Sequence, residues 1–127
     1  MSVLVDTSVW VEYLRGRSAL EEIDFLIDES LLMTNELIQA ELLPPLLARG
    51  QDELVGLFRE IPVCPLQIDW DDIIALQVTC LKNGINKIGI PDLVIAQNAI
   101  RNGLRVFSVD KHFLLLHQVL PLDLYDP

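Results

Sequence analysis

Histidine, cysteine and clustered glycine are all scarce in this chain, and each scarcity closes off a chemistry. The two cysteines, Cys64 and Cys80, and the two histidines, His112 and His117, show no zinc-type spacing and no paired redox motif. They allow no Ser-His-Asp or Cys-His arrangement for nucleophilic catalysis. The six glycines are scattered as helix stops and turns, so no glycine-rich loop cradles a phosphate. No apolar run reaches the roughly 18 residues of a membrane span. A signal peptide is not expected, because the start lacks a basic stretch and its short apolar run meets Asp6. The thiols therefore read as buried, reduced side chains of a cytoplasmic protein.

Positive charge is short too. Lys and Arg number 9 against 19 Asp and Glu, a net charge of −10, which argues against a broad basic face for nucleic acid. That balance fits simple solubility, a cationic partner, or acids gathered around a divalent metal. Apolar residues are abundant: 51% of the chain is hydrophobic and 22% charged, which excludes disorder. The whole of 1–127 is expected to form one domain with its own core.

Short β-rich runs alternate with longer helical ones. Ser2–Val5 reads as a strand buried on both faces, and the spacing of Val9, Trp10, Tyr13 and Leu14 as a helix ending before Gly16. A helix follows over Leu20–Asp28, then a brief strand over Leu31–Met33. Thr34 or Asn35 caps a helix reaching about Ala48, with Gly50 as its stop and a kink or break expected after Leu43, before Pro44 and Pro45. Further helices are expected over Gln51–Glu60, from Asp69 to about Asn83, and from Pro91 to Gly103. Val63–Gln67 reads as a poor strand, Arg105–Val109 as a good one, Lys111–Leu116 as a short helix and Leu122–Leu124 as an edge strand. Alternation of this kind without hairpin turns predicts an α/β fold, a central mostly parallel sheet between two helical layers.

In such a sheet, ligands bind outside the carboxyl ends of the strands. Asp6 ends the first strand in "VLVDTSVW", Asp110 follows "RVFSV", and Asp92 lies in the first turn after Pro91. Glu41 interrupts the apolar helix "LIQAELL". Singly, each has a plain structural reading: Asp6 and Asp110 as helix caps, Asp92 as a partner of the helix dipole, Glu41 as a solvent-facing position. Together on one edge they would repel and in part protonate, and no Lys or Arg adjoins Asp6, Glu41 or Asp92 in sequence. Mg²⁺ or Mn²⁺ would neutralise them, and a pair of such ions about 4 Å apart activates water for phosphodiester hydrolysis.

"VLVDTSVWVEYLRG", "ELIQAELL" and "GIPDLVIAQNAIRNGLRVFSVDKHF" together resemble the successive motif blocks of the PIN domain family, and within it the VapC toxins of toxin–antitoxin pairs. The resemblance implies a PIN-like domain over 1–127 and a Mg²⁺- or Mn²⁺-dependent endoribonuclease. Its metal-binding and catalytic carboxylates would be Asp6, Glu41, Asp92 and Asp110. Ser8 and Ser108 match positions where the family keeps a small hydroxyl beside the metal ligands. It further implies a homodimer, an RNA substrate, and a VapB-like antitoxin whose tail brings a basic side chain into the acidic cleft. Trp10 and Tyr13 would line the antitoxin groove, although core packing is the favoured alternative for Trp10, and Arg15, Arg17 and Lys111 would steer RNA phosphates, with ordinary surface positions as their plain reading. Two departures stand out: Pro44 and Pro45 follow the helix glutamate, and His112 replaces an acid that the family sometimes carries. Two rival readings use the same residues. A phosphotransfer protein would phosphorylate Asp6, but usually needs a second acid where Ser8 stands. A non-catalytic module of the same fold would use its acids to receive a basic peptide and bind no metal.

Overall fold

Val3, Leu4 and Val5 are wholly buried, as a strand covered on both faces requires. They form β1 (Val3–Val5) in a computed structural model that describes residues 1–16 and 20–126. Arg17 lies outside the described residues. The chain continues through α1 (Thr7–Leu14), α2 (Leu20–Asp28), β2 (Leu32–Met33), α3 (Glu36–Ala48), α4 (Asp52–Arg59) and α5 (Trp70–Lys82). It ends with α6 (Ile90–Asn102), β3 (Arg105–Phe107), α7 (Lys111–Val119) and β4 (Asp123–Leu124). All strand pairs are parallel, in the order β2-β1-β3-β4. Parallel neighbours require crossovers, and helices supply every one. The expected α/β architecture is therefore the one that forms.

Strand order fixes where a cleft opens. The chain leaves β1 for β2 on one side and returns to β3 on the other, so the switch point lies between the carboxyl ends of β1 and β3. Their register pairs Val3 with Arg105, Leu4 with Val106 and Val5 with Phe107. The ladder runs one step further, since the Asp6 N–H donates to the Phe107 carbonyl at 2.9 Å.

Helix α6 is the most buried helix. Leu93 to Ala99 are all buried, including Gln97 and Asn98. Gly103 closes α6 at φ 64°, a left-handed conformation that other residues enter at a steric cost. Buried amides must find partners. The Gln97 Nε2 donates to the Asp69 carbonyl and to Asp72, and its Oε1 accepts from the Asp69 N–H. Asn98 donates to the Pro65 carbonyl and accepts from Asn35. These bonds hold the 63–69 segment, which joins the sheet edge only through a parallel bridge between Thr34 and Val63. The poor strand expected there is a single bridge, consistent with Pro62 and Pro65 withholding their N–H groups.

Of the kink or break expected after Leu43, the break does not occur. Helix α3 runs from Glu36 to Ala48 with Pro44 and Pro45 inside it. Both prolines are exposed, whereas Leu42, Leu43 and Leu46 are buried. The missing N–H groups would have served the carbonyls of Ala40 and Glu41, in residues that are exposed themselves, so water replaces the lost bonds while leucine packing holds the turn.

Asn35 starts α3 from the core. It is fully buried, its Oδ1 accepts from the Ile38 N–H at 2.9 Å, and its Nδ2 donates to Asn98 at 3.1 Å. Asn35→Ala removes the cap and leaves the Asn98 oxygen unpaired. Urea unfolding should report a loss of about 2–4 kcal/mol, and an unchanged midpoint would contradict this role.

Candidate functional site

The turn after β1 is built by its first acid. Asp6 is 6% exposed and has an extended backbone, which aims its carboxylate at the start of α1. Its Oδ2 accepts from the Ser8 hydroxyl at 2.8 Å, the Ser108 hydroxyl at 3.0 Å and, more weakly, the Ser8 N–H at 3.4 Å. The two hydroxyl oxygens lie 3.2 Å apart. Ser8 Oγ also accepts from the Val109 N–H at 3.2 Å, and Ser108 Oγ from the Asp110 N–H at 2.9 Å. The serines thereby stitch the end of β1 to the turn after β3. All three bonds to Asp6 fall on Oδ2, so Oδ1 has no hydrogen-bond partner among the described residues.

Asp110 heads α7 in the same way, accepting from the His112 N–H at 2.9 Å. Cap and cleft residue are thus not alternatives for Asp6 or Asp110. One oxygen terminates a helix while the carboxylate stands at the sheet edge. Asp92 sits in the first turn of α6, three residues past the N-cap Gly89 and two past Ile90, where the helix starts. Its Oδ2 lies 3.0 Å from His112 Nδ1, which is also 3.6 Å from Asp110 Oδ1. Ligand atoms of Asp92, Asp110 and His112 all lie within 4.8 Å of one another. Glu41 is exposed at the rim, where its Oε1 accepts from the Thr7 hydroxyl at 3.1 Å.

Electrostatics tie the four acids into one cluster. Burial pushes the Asp92 carboxyl above its ordinary value, and the charges of Asp110 and Asp6 push it further, against the opposing bond to His112. Burial likewise raises Glu41, helped by the charges of Asp6 and Asp92 and opposed by Thr7. Among the described residues, no Lys or Arg forms an ion pair with any of the four. A set of carboxylate oxygens short of positive charge suits a hard divalent cation. The donor set therefore fits Mg²⁺ or Mn²⁺.

His112 was recognisable in the sequence as a substitution for an acid, but not as a member of the cluster. Its signal is the two-residue step from Asp110 at a helix start, which turns both side chains to the same edge. Lys111 is exposed at the start of α7, beside Asp110, whereas the exposed Arg15 caps the end of α1 opposite Asp6 and is not brought to this edge. Trp10 is 2% exposed, packing edge-on against Tyr13 and Phe58. It also lines an apolar groove of about 400 Å³ with Tyr13, Leu26, Leu54, Phe58 and Ile61, so core and groove share this residue. The buried Trp10 Nε1 has no hydrogen-bond partner among the described residues. The groove's extent was not legible in the sequence.

Raised acids make the metal-free fold pH-sensitive. The folded chain holds the Glu41 and Asp92 protons more tightly than the unfolded chain does. Their contribution is thus fully present below the unfolded values and is lost as pH rises through the folded ones. Asp92→Asn and Glu41→Gln should each raise the Tm of metal-free protein at neutral pH by a few degrees, with a smaller gain on acidification than wild type. Added Mg²⁺ or Mn²⁺ should reverse the ranking. Calorimetry showing both variants less stable than wild type without metal would contradict the crowding of charge.

Comparison with known proteins extends these observations. No curated protein matches the sequence. Solved structures share the fold, among them the following three. VapBC2 from Rickettsia felis bound to a promoter DNA fragment matches with a TM-score of 0.78 at 16% identity, over 98% of each chain. DNA-bound VapBC from Salmonella typhimurium matches at 0.76 and 15% identity, over 99% of this chain and 98% of that one. FitAcB from Neisseria gonorrhoeae matches at 0.73 and 21% identity, over 98% and 97%. The PIN domain model matches residues 3–117, which span the sheet edge and all four acids, and the chain belongs to the PIN domain family.

Proposed function

We propose that this chain is a Mg²⁺- or Mn²⁺-dependent endoribonuclease, the VapC-type toxin of a toxin–antitoxin pair. The observation that carries this reading is the convergence of Asp6, Asp92, Asp110 and, at the rim, Glu41 on one sheet edge without a neutralising Lys or Arg. These four carboxylates would hold the cation, which when bound supplies Lewis-acid stabilisation of phosphate charge and lowers the pKa of water for attack. Ser8 and Ser108 hold Asp6 through Oδ2 and leave Oδ1 for the cation. Thr7 does the same for Glu41. Exposed Lys111, beside Asp110, draws RNA phosphates towards an otherwise acidic surface. The phosphodiester is cleaved without a nucleophile from the protein. The compartment in this reading is the cytoplasm, in keeping with two free, buried thiols and with no described helix long and apolar enough to cross a membrane.

The antitoxin in this reading is VapB-like. Its amphipathic helix occupies the groove under α1, α2 and α4, whose apolar walls favour an apolar face. A basic side chain beyond that helix enters the acidic cleft. Chains of this fold are solved in VapBC and FitAcB, which supports a partner of this class. A homodimer completes the reading. Trp70, Ile74, Val78 and Leu81 stand 58%, 62%, 42% and 55% exposed along one stripe of α5. Such a stripe is self-complementary under a two-fold axis.

Two outcomes are expected. Asp6→Asn keeps the cap acceptor and removes the charge, so cleavage of RNA in Mn²⁺ or Mg²⁺ should fall roughly 100-fold or more with an unchanged circular dichroism spectrum. Undiminished cleavage by the pure variant would sink the nuclease reading. Light scattering should find wild type as a dimer and Ile74→Asp as a monomer. A monomeric wild type at high concentration would remove the dimer from the proposal.

A further inference from the structure

His112 is the one nitrogen among the cleft's facing donors, and its distances invite a metal. Two neighbouring ligands of an octahedral ion, each about 2.1 Å from it, stand about 3 Å apart. His112 Nδ1 lies 3.0 Å from Asp92 Oδ2, that same spacing and in this structure a hydrogen bond, and 3.6 Å from Asp110 Oδ1, a wider one that a shared ion would draw in. Its backbone is fixed by the N–H bond to Asp110, and its ring is about one-third exposed, at 32%. The cleft thus divides. Asp6 and Glu41, held by serine and threonine hydroxyls, offer oxygen alone, whereas Asp92 and Asp110 share their space with an imidazole.

We propose that His112 is a direct nitrogen ligand of the cation held by Asp92 and Asp110, giving this cleft a preference for Mn²⁺ over Mg²⁺. The inference rests on the reading of the cleft as a metal site. Mg²⁺ favours oxygen and gains little from imidazole, while later divalent ions accept it readily. A family position that sometimes carries an acid thereby becomes, in this chain, a device for choosing the ion.

Pulsed electron paramagnetic resonance of the Mn²⁺-loaded full chain, with titration calorimetry of Mn²⁺ and Mg²⁺ alone, tests it. The echo should carry modulation from a coordinated nitrogen, and growing the protein on histidine labelled with heavy nitrogen should change that modulation without any mutation. The only other histidine, His117, has its Nδ1 at 2.6 Å from the Leu122 carbonyl and is no member of the cluster. His112→Ala should abolish the signal and weaken Mn²⁺ binding at least roughly tenfold, while changing Mg²⁺ binding far less. His112→Asp should restore binding but favour Mg²⁺. Mn²⁺ bound without nitrogen coupling, or an equal weakening of both ions by His112→Ala, overturns the role of His112 and leaves the metal reading intact. Failure of Mn²⁺ to bind wild type overturns both.

Discussion

Parallel pairing of β1 with β3 is the interaction on which the cleft depends. Two three-residue strands would be negligible alone, but here Val3, Leu4, Val5, Val106 and Phe107 are buried and the register is fixed by core packing. The extra bond from the Asp6 N–H to the Phe107 carbonyl carries that register past the strands and into the site. A slip of one residue would turn Asp6 away from Ser108. It would also bury a charge where Val5 now packs. The acids are therefore placed by the hydrophobic core and not by attraction to one another.

That placement opposes the local electrostatics. Desolvation and mutual repulsion raise Glu41 and Asp92, so the fold holds charges together that would separate if free. Hydroxyls of Thr7, Ser8 and Ser108 offset part of this cost by donating to the carboxylates without adding charge. A lysine in their place would neutralise the cleft and remove its demand for a cation. Neutral donors preserve the demand while fixing the geometry.

Most of this was legible because strand ends and helix caps have strong local signatures. Val3–Val5 stopping on Asp6, and Asn35 before an apolar helix, are patterns that tertiary contacts reinforce. The three aspartates could be placed on one edge because each adjoins an element boundary, and the parallel rule then dictates the side. Glu41 needed a different clue, a charge among apolar neighbours. The failures share one cause. Whether Pro44 and Pro45 break α3 depends on which face meets solvent, and whether His112 reaches Asp92 depends on how α6 packs beside α7. Neither can be read from neighbours in the chain. The groove at Trp10 is assembled from helices distant in sequence and leaves no periodic trace.

The serine pair has a consequence for how the molecule comes to be. Ser8 and Ser108 stand 100 residues apart in sequence and touch at 3.2 Å. Nine elements, β1 through β3, precede Ser108 in the chain. Until it is made, Asp6 lacks its partner across the sheet and Asp110 does not exist. A chain that stops before β3, however well its first helices form, therefore lacks Ser108, Asp110 and His112, and its Asp6 has no hydroxyl from across the sheet to hold it.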